Sequence, residues 1–440
     1  MKKVLILGAG LVAKPLVRYL LDQPNIEVEV ASRTVSKAIK LIDNHPQGTA
    51  KELNLKDEEG LKEEILRSDL VISMVPYSFH PKVAQYCIEF KKHMVTTSYV
   101  SEVMKNLDAE AKKAGIIILN EVGLDPGIDH MEAMRIIHEV EGNGGEISSF
   151  TSFCGGLPAP EANTNPFGYK FSWSPIGVLL AGKNSARYLK DGNEIFIPPE
   201  DLFENFSIIN IEGLGDFEAY PNRNSLPYIE LYGIQSTQTM LRGTLRNIGW
   251  CSTIKKIVEL GLLDEEEKDW IGLAYKDFLR KLMNEPVEED LKKALSENLN
   301  IDEDSDIIKR LEWLGLLSDD PLPLEKGSAL DIVAAKMLEK LQYEEGERDM
   351  IILQHEFIAS FPGDKKEKIT STLIDFGIPQ GDSSMARTVG LPAAISTRLI
   401  LEEKITRSGV HIPVISEIYK PILQELKEME ISFKEHRQEI

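Results

Sequence analysis

The stretch Val4-Leu5-Ile6-Leu7-Gly8-Ala9-Gly10-Leu11-Val12-Ala13 decides how the rest of the chain is read. A short unbroken apolar run that stops at glycine is what a strand buried on both faces of a parallel sheet requires. The glycines then fall in a GxGxxA pattern at the mouth of a segment, Leu11 to Leu21, with helical spacing. In such a strand–turn–helix the first glycine permits the tight turn and the second lets the backbone approach a pyrophosphate. A small third residue lets helix and strand pack closely. The helix N-terminus adds unpaired N–H donors and a favourable dipole for phosphate. The bland alternative is a glycine turn that holds nothing. Position, strand and helix agree against it.

Working outward, strands and helices alternate. Ile26 to Ala31 reads as a second strand and Val35 to Asn44 as a helix. Leu70 to Val75 is a strand ended by Pro76, which cannot continue a central ladder. A helix from about Pro81 leads to strands at Met94 to Thr97 and Ile116 to Leu119. Alternation of this kind implies right-handed crossovers and a doubly wound parallel sheet, a Rossmann fold. From about Asp125 the pattern changes. Phe150 to Phe153, Tyr169 to Trp173, Ile195 to Ile197, Met350 to Ile358 and Lys368 to Phe376 read as strands of a second, mixed sheet. Ile254 to Leu341 reads as helical, a small all-helical insertion domain. Its acidic runs Asp264–Glu267 and Asp302–Asp304 are expected at solvated helix starts and loops rather than at a metal. From about Arg387 the chain is expected to be helical with a polar tail. The expected division is 1–124 for the Rossmann domain, 125–250 with 342–386 for the mixed-sheet α/β domain, and 251–341 for the helices.

The end of the second strand reads the cofactor. A site for NAD places Asp or Glu there for the ribose hydroxyls, whereas NADP requires that acid to be absent and cations to be present. The chain has Ala31-Ser32-Arg33-Thr34, with Lys37 a turn later. Arg33 can lie along the adenine and reach the 2′-phosphate, while Ser32 and Thr34 donate hydrogen bonds to it. NADP is the expected cofactor.

Length and charge bound the remaining choices. At 440 residues more than one core is expected. A net charge of −21 argues against nucleic acid or an anionic membrane as partner. It does not exclude an anionic small molecule, because arginines can dominate locally. Cys87, Cys154 and Cys251 lie far apart without a CxxC pair, so neither a disulfide framework nor a metal site is expected. A reducing compartment follows, and the chain reads as cytoplasmic. His130 and His138, two turns apart on one helix, read as structural.

Six further segments carry a likeness: Thr97-Ser98-Tyr99-Val100-Ser101, Asn120 to His130, Cys154 to Glu161, Asn165 to Ser174, Tyr220 to Ser225, and Arg242-Gly243-Thr244-Leu245-Arg246. Together they resemble the saccharopine reductases, the NADP-dependent, L-glutamate-forming saccharopine dehydrogenases, over essentially the whole chain. The resemblance implies interconversion of saccharopine with L-glutamate and 2-aminoadipate 6-semialdehyde, and a homodimer built through the mixed-sheet domain. It also implies that the segment 387–440 returns to complete the Rossmann domain. It implies nucleotide contacts at Gly8, Gly10, Leu11, Val12, Ala13, Lys14, Ser32, Arg33, Thr34, Val75, Thr97, Ser98, Leu124, Asp125, Pro126 and Ser174. Substrate contacts fall on Ser98, Tyr99, Asp125, Arg223, Thr244, Leu245 and Arg246, with Tyr99, Asp125 and Cys154 as the catalytic candidates.

Those residue types suit the chemistry. Arg223 and Arg246 can clamp carboxylates with charge-assisted hydrogen bonds, and Asp125 suits an ammonium group. Each has a plainer reading: arginines in surface ion pairs, Asp-Pro-Gly as turn chemistry, Cys154 as a small buried residue. A lysine 6-dehydrogenase or carboxynorspermidine-type reductase would share the cofactor and the imine step, but not the arginine clamp. A non-catalytic NADP(H) sensor would have little use for a tricarboxylate site.

Overall fold

A computed structural model of the chain describes residues 1–173, 175–286 and 290–440. The chain forms two compact units. The first comprises Met1–Ile147, Leu231–Ile234 and Ile358–Ile440, and the second Ser148–Glu230 with Gln235–Phe357. In chain order the strands are β1 (Lys2–Leu7), β2 (Ile26–Ser32), β3 (Gly48–Glu52), β4 (Leu70–Ser73), β5 (His93–Val95) and β6 (Ile117–Leu119). They continue as β7 (Glu146–Pro158), β8 (Ala186–Lys190), β9 (Asn193–Ile197), β10 (Ser207–Ile211), β11 (Gly215–Pro221) and β12 (Thr239–Asn247). The last are β13 (Lys268–Asp269), β14 (Lys326–Gly327), β15 (Asp349–Phe361), β16 (Lys365–Phe376), β17 (Gly409–His411) and β18 (Lys434–Glu439).

The first unit is built on a seven-stranded sheet in the order β17-β6-β5-β4-β1-β2-β3. Every pairing in it is parallel. Val4 to Leu7 are fully buried, as an unbroken apolar run in a sheet covered on both faces must be. The strand order reverses between β1 and β4, so the crevice at their C-terminal ends is where a Rossmann sheet takes its ligand. Strand β3 was not anticipated. It is an edge strand, Gly-Thr-Ala-Lys-Glu, with no apolar run to announce it. Strand β17 was missed for a different reason: three residues carry no period, and its place beside β6 is set by long-range bonds such as Gly409 N–H to the Ile116 carbonyl at 2.8 Å. The helix Ser384–Leu401 packs on the helix Ala13–Leu21. Gly390 permits that approach, since a Cβ there would stand 2.9 Å from the Val12 carbonyl oxygen.

In the second unit β10, β11 and β12 pair antiparallel, and β12 pairs in parallel with β7, so the sheet is mixed. The hairpin of β8 and β9 joins it at Met240 and Leu189. Between β12 and β15 lie the helices Trp250–Glu259, Tyr275–Met283, Leu291–Leu299, Asp306–Leu314 and Ala329–Lys340. Asp290, Ser305 and Ser328 accept backbone N–H bonds at three of their N-termini, which is where such side chains stabilise a helix. Among the described residues no helix is long and apolar enough to cross a membrane.

Two expectations are corrected. Tyr169 to Trp173 is not a strand. Its backbone is satisfied piecemeal, with the Tyr169 carbonyl bonded by the Asn165 amide at 2.9 Å and Phe171 N–H bonded to Leu341 at 2.8 Å. Tyr169 and Phe171 are buried as loop anchors rather than as a sheet face, while Trp173 is exposed. The polar tail is not helical at its end: β18 pairs antiparallel with β16 over Lys434 to Glu439. Ladder bonds hold it, and no hydrophobic alternation marks it.

Candidate active site

At the switch point the groups that face a ligand are mostly main chain. Gly8 has φ +110°, a region that favours glycine, and an added Cβ would stand 2.8 Å from the Met74 carbonyl oxygen. Around Gly10 the same test finds nothing within 4 Å, so the backbone there is open to an approaching group. Ala13 is buried against the strand. The helix Ala13–Leu21 has no side-chain cap at Val12 and no acid in its first turn. Ala13 N–H turns back to the Gly10 carbonyl at 3.2 Å and Pro15 has none, so the N–H groups of the turn, from Gly10 to Val12, and that of Lys14 are the ones left for an anion. The cradle fits a pyrophosphate. Leu11 is exposed at its rim, and Lys14 forms an ion pair with Asp382 at 2.8 Å.

Past β2 the chain is equally open. Arg33 and Thr34 are exposed, and Thr34 N–H bonds the Ser32 hydroxyl at 3.3 Å. Thr34 begins the helix Val35–Ile42, again without a side-chain cap or an acid in the first turn. Arg33 makes no ion pair among the described residues, so its guanidinium is not already neutralised. These groups fit a 2′-phosphate.

The C-terminal ends of β1, β4, β5 and β6 converge. Met74 N–H bonds the Leu7 carbonyl at 2.9 Å, and Thr96 N–H bonds that of Leu119 at 2.9 Å. Thr97 touches Met74 through sulfur at 4.0 Å, and its Cβ lies 3.2 Å from where a Cβ on Gly123 would stand. The positions Gly8, Val75, Thr97, Ser98 and Leu124 to Pro126 therefore gather at one sheet edge. Tyr99 donates its hydroxyl to Asp125 Oδ1 at 3.2 Å, which brings two of the catalytic candidates together. The loop that carries Asp125 includes a cis Asp125–Pro126 bond and folds back so tightly that a Cβ on Gly127 would lie 2.0 Å from the Gly123 carbonyl oxygen.

Two side chains behind this edge escaped the sequence reading. Glu121 is buried and has φ +59°, a strained conformation for a residue with a Cβ. Its carboxylate accepts Val100 N–H at 2.9 Å and lies 2.8 Å from His130 Nε2, while His130 Nδ1 lies 2.6 Å from the Tyr232 hydroxyl. The loops of Tyr99 and Asp125 are pinned from below by this group. The other is His80, whose Nδ1 lies 2.8 Å from the Ser73 hydroxyl and whose Nε2 lies 2.9 Å from that of Ser98. Burial holds its pKa down to about 4, so the ring is neutral. His80 belongs to no motif, and Glu121, though inside the segment Asn120 to His130, has no spacing that singles it out from its neighbours.

On the mixed sheet the groups are side chains instead. Strand alternation puts Arg242, Thr244 and Arg246 on one face of β12, with Leu245 buried on the other. Register places Cys154 of β7 beside Thr244, and Tyr220 and Glu218 of β11 beside Thr244 and Arg246. The Leu245 carbonyl accepts Arg246 Nη1 at 2.8 Å. Glu218, the nearest acid by register, is committed to Gly249 and Cys251 N–H at 2.7 Å each, where it anchors the helix Trp250–Glu259. Arg246 is left 6% exposed with no carboxylate partner among the described residues, its Nε without a hydrogen bond. Its guanidinium sits 5.1 Å from the Tyr169 ring centre and 5.5 Å from that of Trp250. The Tyr169 hydroxyl and Trp250 Nε1 are also buried without partners. Burial raises the Tyr169 pKa, so that hydroxyl stays a neutral donor. A buried cation among unpaired donors is a site that lacks an anion. Arg223 stands exposed just after β11 with φ +55°. Ser174 lies outside the described residues.

Comparison with known proteins finds family models over both parts of the chain. The chain matches the family models of the saccharopine dehydrogenase NADP binding domain over residues 4–119 and the saccharopine dehydrogenase C-terminal domain over 123–431. It is 42% identical over 437 residues to the saccharopine dehydrogenase (NADP(+), L-glutamate-forming) of Pyricularia oryzae, covering 97% of each chain. It is 38% identical to the mitochondrial alpha-aminoadipic semialdehyde synthase of Bos taurus, covering 97% of this chain and 47% of that one. Among solved structures, the apo saccharopine dehydrogenase (L-Glu forming) from Saccharomyces cerevisiae superposes with a TM-score of 0.91 at 40% identity, covering 100% of both chains.

Proposed function

The chain belongs to the saccharopine dehydrogenase family, and on that premise we propose that it interconverts saccharopine and water with L-glutamate and 2-aminoadipate 6-semialdehyde, using NADP. It is an oxidoreductase acting on a CH–NH bond, in lysine metabolism. The observation that carries the substrate class is Arg246, a buried guanidinium with no acid of its own in a chain of net charge −21.

Bound NADP supplies the two-electron acceptor, and the chain supplies position and charge. The turn from Gly8 to Lys14 and the helix behind it hold the pyrophosphate, and Ser32, Arg33 and Thr34 hold the 2′-phosphate. Val75, Thr97, Ser98, Leu124 to Pro126 and Ser174 serve the rest of the dinucleotide. Arg223 and Arg246 take substrate carboxylates, with Thr244 and Leu245 beside them and Ser98 and Tyr99 as further contacts. Asp125 faces an ammonium. Oxidation needs the secondary amine in its neutral form, and the imine that follows needs a water. Tyr99, Asp125 and Cys154 are the groups we assign to moving those protons. Much of the acceleration comes from fixing the reacting carbon in place.

We further read the chain as a homodimer in the cytoplasm, with the helices between β12 and β15 forming a small domain of their own. The cysteines, none in a disulfide, fit a reducing compartment. Light scattering on the purified protein tests the dimer. Absorbance in the nicotinamide band tests the function: turnover with saccharopine plus NADP, and none with lysine or diamines, is expected. Turnover of lysine or a diamine in preference would overturn the substrate, and tight NADP binding without turnover of any amine would make the protein a sensor.

A further inference from the structure

His80, Ser73 and Thr96 lie outside every assignment made so far, yet the directions of the hydrogen bonds that join them to Ser98 can be worked out. Thr96 donates its single hydroxyl proton to the Ser73 carbonyl at 2.9 Å, because a carbonyl can only accept. Thr96 Oγ1 is therefore an acceptor toward everything else, including Ser98 N–H at 3.3 Å and His80 Nε2 at 3.4 Å. A lone pair on Nε2 would face the lone pairs of Thr96, whereas an N–H there is satisfied. The other ring nitrogen gives the same answer. Ser73 is 0% exposed, and its hydroxyl has His80 Nδ1, at 2.8 Å, as its partner. Were Nδ1 protonated, the buried Ser73 proton would have no acceptor, a loss that buried hydroxyls avoid. Both constraints select the Nε2–H tautomer, with Ser73 donating to Nδ1.

The consequence falls on Ser98. At 2.9 Å the Nε2–H of His80 donates to the Ser98 hydroxyl oxygen, which leaves the proton of that hydroxyl uncommitted. Ser98 is half-buried at the sheet edge where Thr97, Tyr99 and Asp125 also stand. We propose that His80 is a positioning residue that makes Ser98 a hydrogen-bond donor toward an acceptor oxygen of the bound ligand. That oxygen belongs either to a carboxylate of the amino-acid substrate or to the carboxamide of the dinucleotide. The proposal rests on the reading, given above, that Ser98 meets the ligand.

The test uses the full-length enzyme and four variants, Ser98→Ala, His80→Asn, His80→Gln and the double Ser98→Ala/His80→Asn. KM for saccharopine, Kd for NADPH by fluorescence, and Tm are measured for each. Ser98→Ala should weaken one ligand roughly tenfold, and the parameter that moves names the acceptor. His80→Asn, which loses the distal N–H, should reproduce that loss in the same parameter. His80→Gln, which can place an amide N–H where Nε2 was, should recover most of it. The double variant should be no worse than Ser98→Ala, because His80 acts through Ser98. Losses that multiply in the double variant, or equal behaviour of Asn and Gln, would overturn the role, as would an Nδ1–H tautomer in nitrogen NMR of labelled histidine. The NMR outcome decides even where a variant does not fold. Ser98→Ala with both ligands unaffected would sink the underlying assignment of Ser98 as well, a result distinct from failure of His80 alone.

Discussion

At the end of β1 the groups offered to a ligand belong to the backbone: the turn at Gly8 and Gly10 and the uncapped N–H groups of Ala13–Leu21. On β12 they belong to side chains: Arg246 between Tyr169 and Trp250, with Glu218 diverted to a helix N-terminus. The first arrangement leaves nothing unsatisfied at rest, because exposed N–H groups are solvated. The second holds a buried cation without its counter-ion, which costs stability until an anion arrives. A backbone site should therefore lose folding stability when altered, whereas removing the buried charge of the side-chain site should cost function and keep or gain stability.

Arg246→Met gives the largest expected effect and the sharpest break of that comparison. Removing a guanidinium that binds a carboxylate directly should raise the saccharopine KM at least about a hundredfold, about 3 kcal/mol. A well-packed apolar side chain in place of an unpaired buried charge should leave Tm level or raise it. A marked fall in Tm would mean that Arg246 is a structural cation and the contrast between the two regions is false. Gly8→Ala comes next and has the opposite signature. A Cβ 2.8 Å from a backbone oxygen, at φ +110°, should lower Tm and weaken NADPH roughly tenfold or more, with saccharopine affected only through the cofactor. Unchanged Tm would show that the turn relaxes and that Gly8 is not needed for its shape. Arg33→Ala is smaller again. It should weaken NADPH about tenfold and NADH hardly at all, with Tm unmoved, since the side chain is exposed and makes no ion pair among the described residues. Equal loss for both cofactors would remove the 2′-phosphate from its role.

The same contrast explains what could be read from the sequence. The parallel sheet and the Gly8–Ala13 turn were legible because local rules dictate them: an apolar run, two glycines at fixed spacing, and no acid after β2. Strands β3, β17 and β18 were not, since an edge strand, a three-residue strand and a polar strand are held by pairing partners rather than by their own pattern. At the site, Arg246 was reached through the Arg-Gly-Thr-Leu-Arg motif and the family likeness. That it lacks an acid depends on where Glu218 points: register sets Glu218 beside Arg246, and only its bonds to Gly249 and Cys251 N–H show it turned away. His80 was invisible because a histidine between two serines seven and eighteen residues away has no signature in one dimension. Glu121 stood in a quoted segment, but only its bonds to Val100 N–H and His130 reveal its part.

Tyr169 tests the side-chain site at its finest grain. The residue offers Arg246 a ring face and, separately, a hydroxyl that is buried and unpartnered. Tyr169→Phe keeps the face and deletes the hydroxyl. Relieved of a buried unsatisfied group, the protein should hold or gain up to about 1 kcal/mol, while KM for saccharopine moves no more than roughly threefold. Tyr169→Leu removes the face as well, and with it a cation–π contact of about 1–2 kcal/mol when desolvated, so it should raise KM further and lower Tm. If Phe alone proves as damaging to KM as Leu, then the hydroxyl is the donor that meets the incoming carboxylate, and the ring is only packing. Either result assigns the recognition to one atom set, because the two substitutions differ in nothing else that touches Arg246.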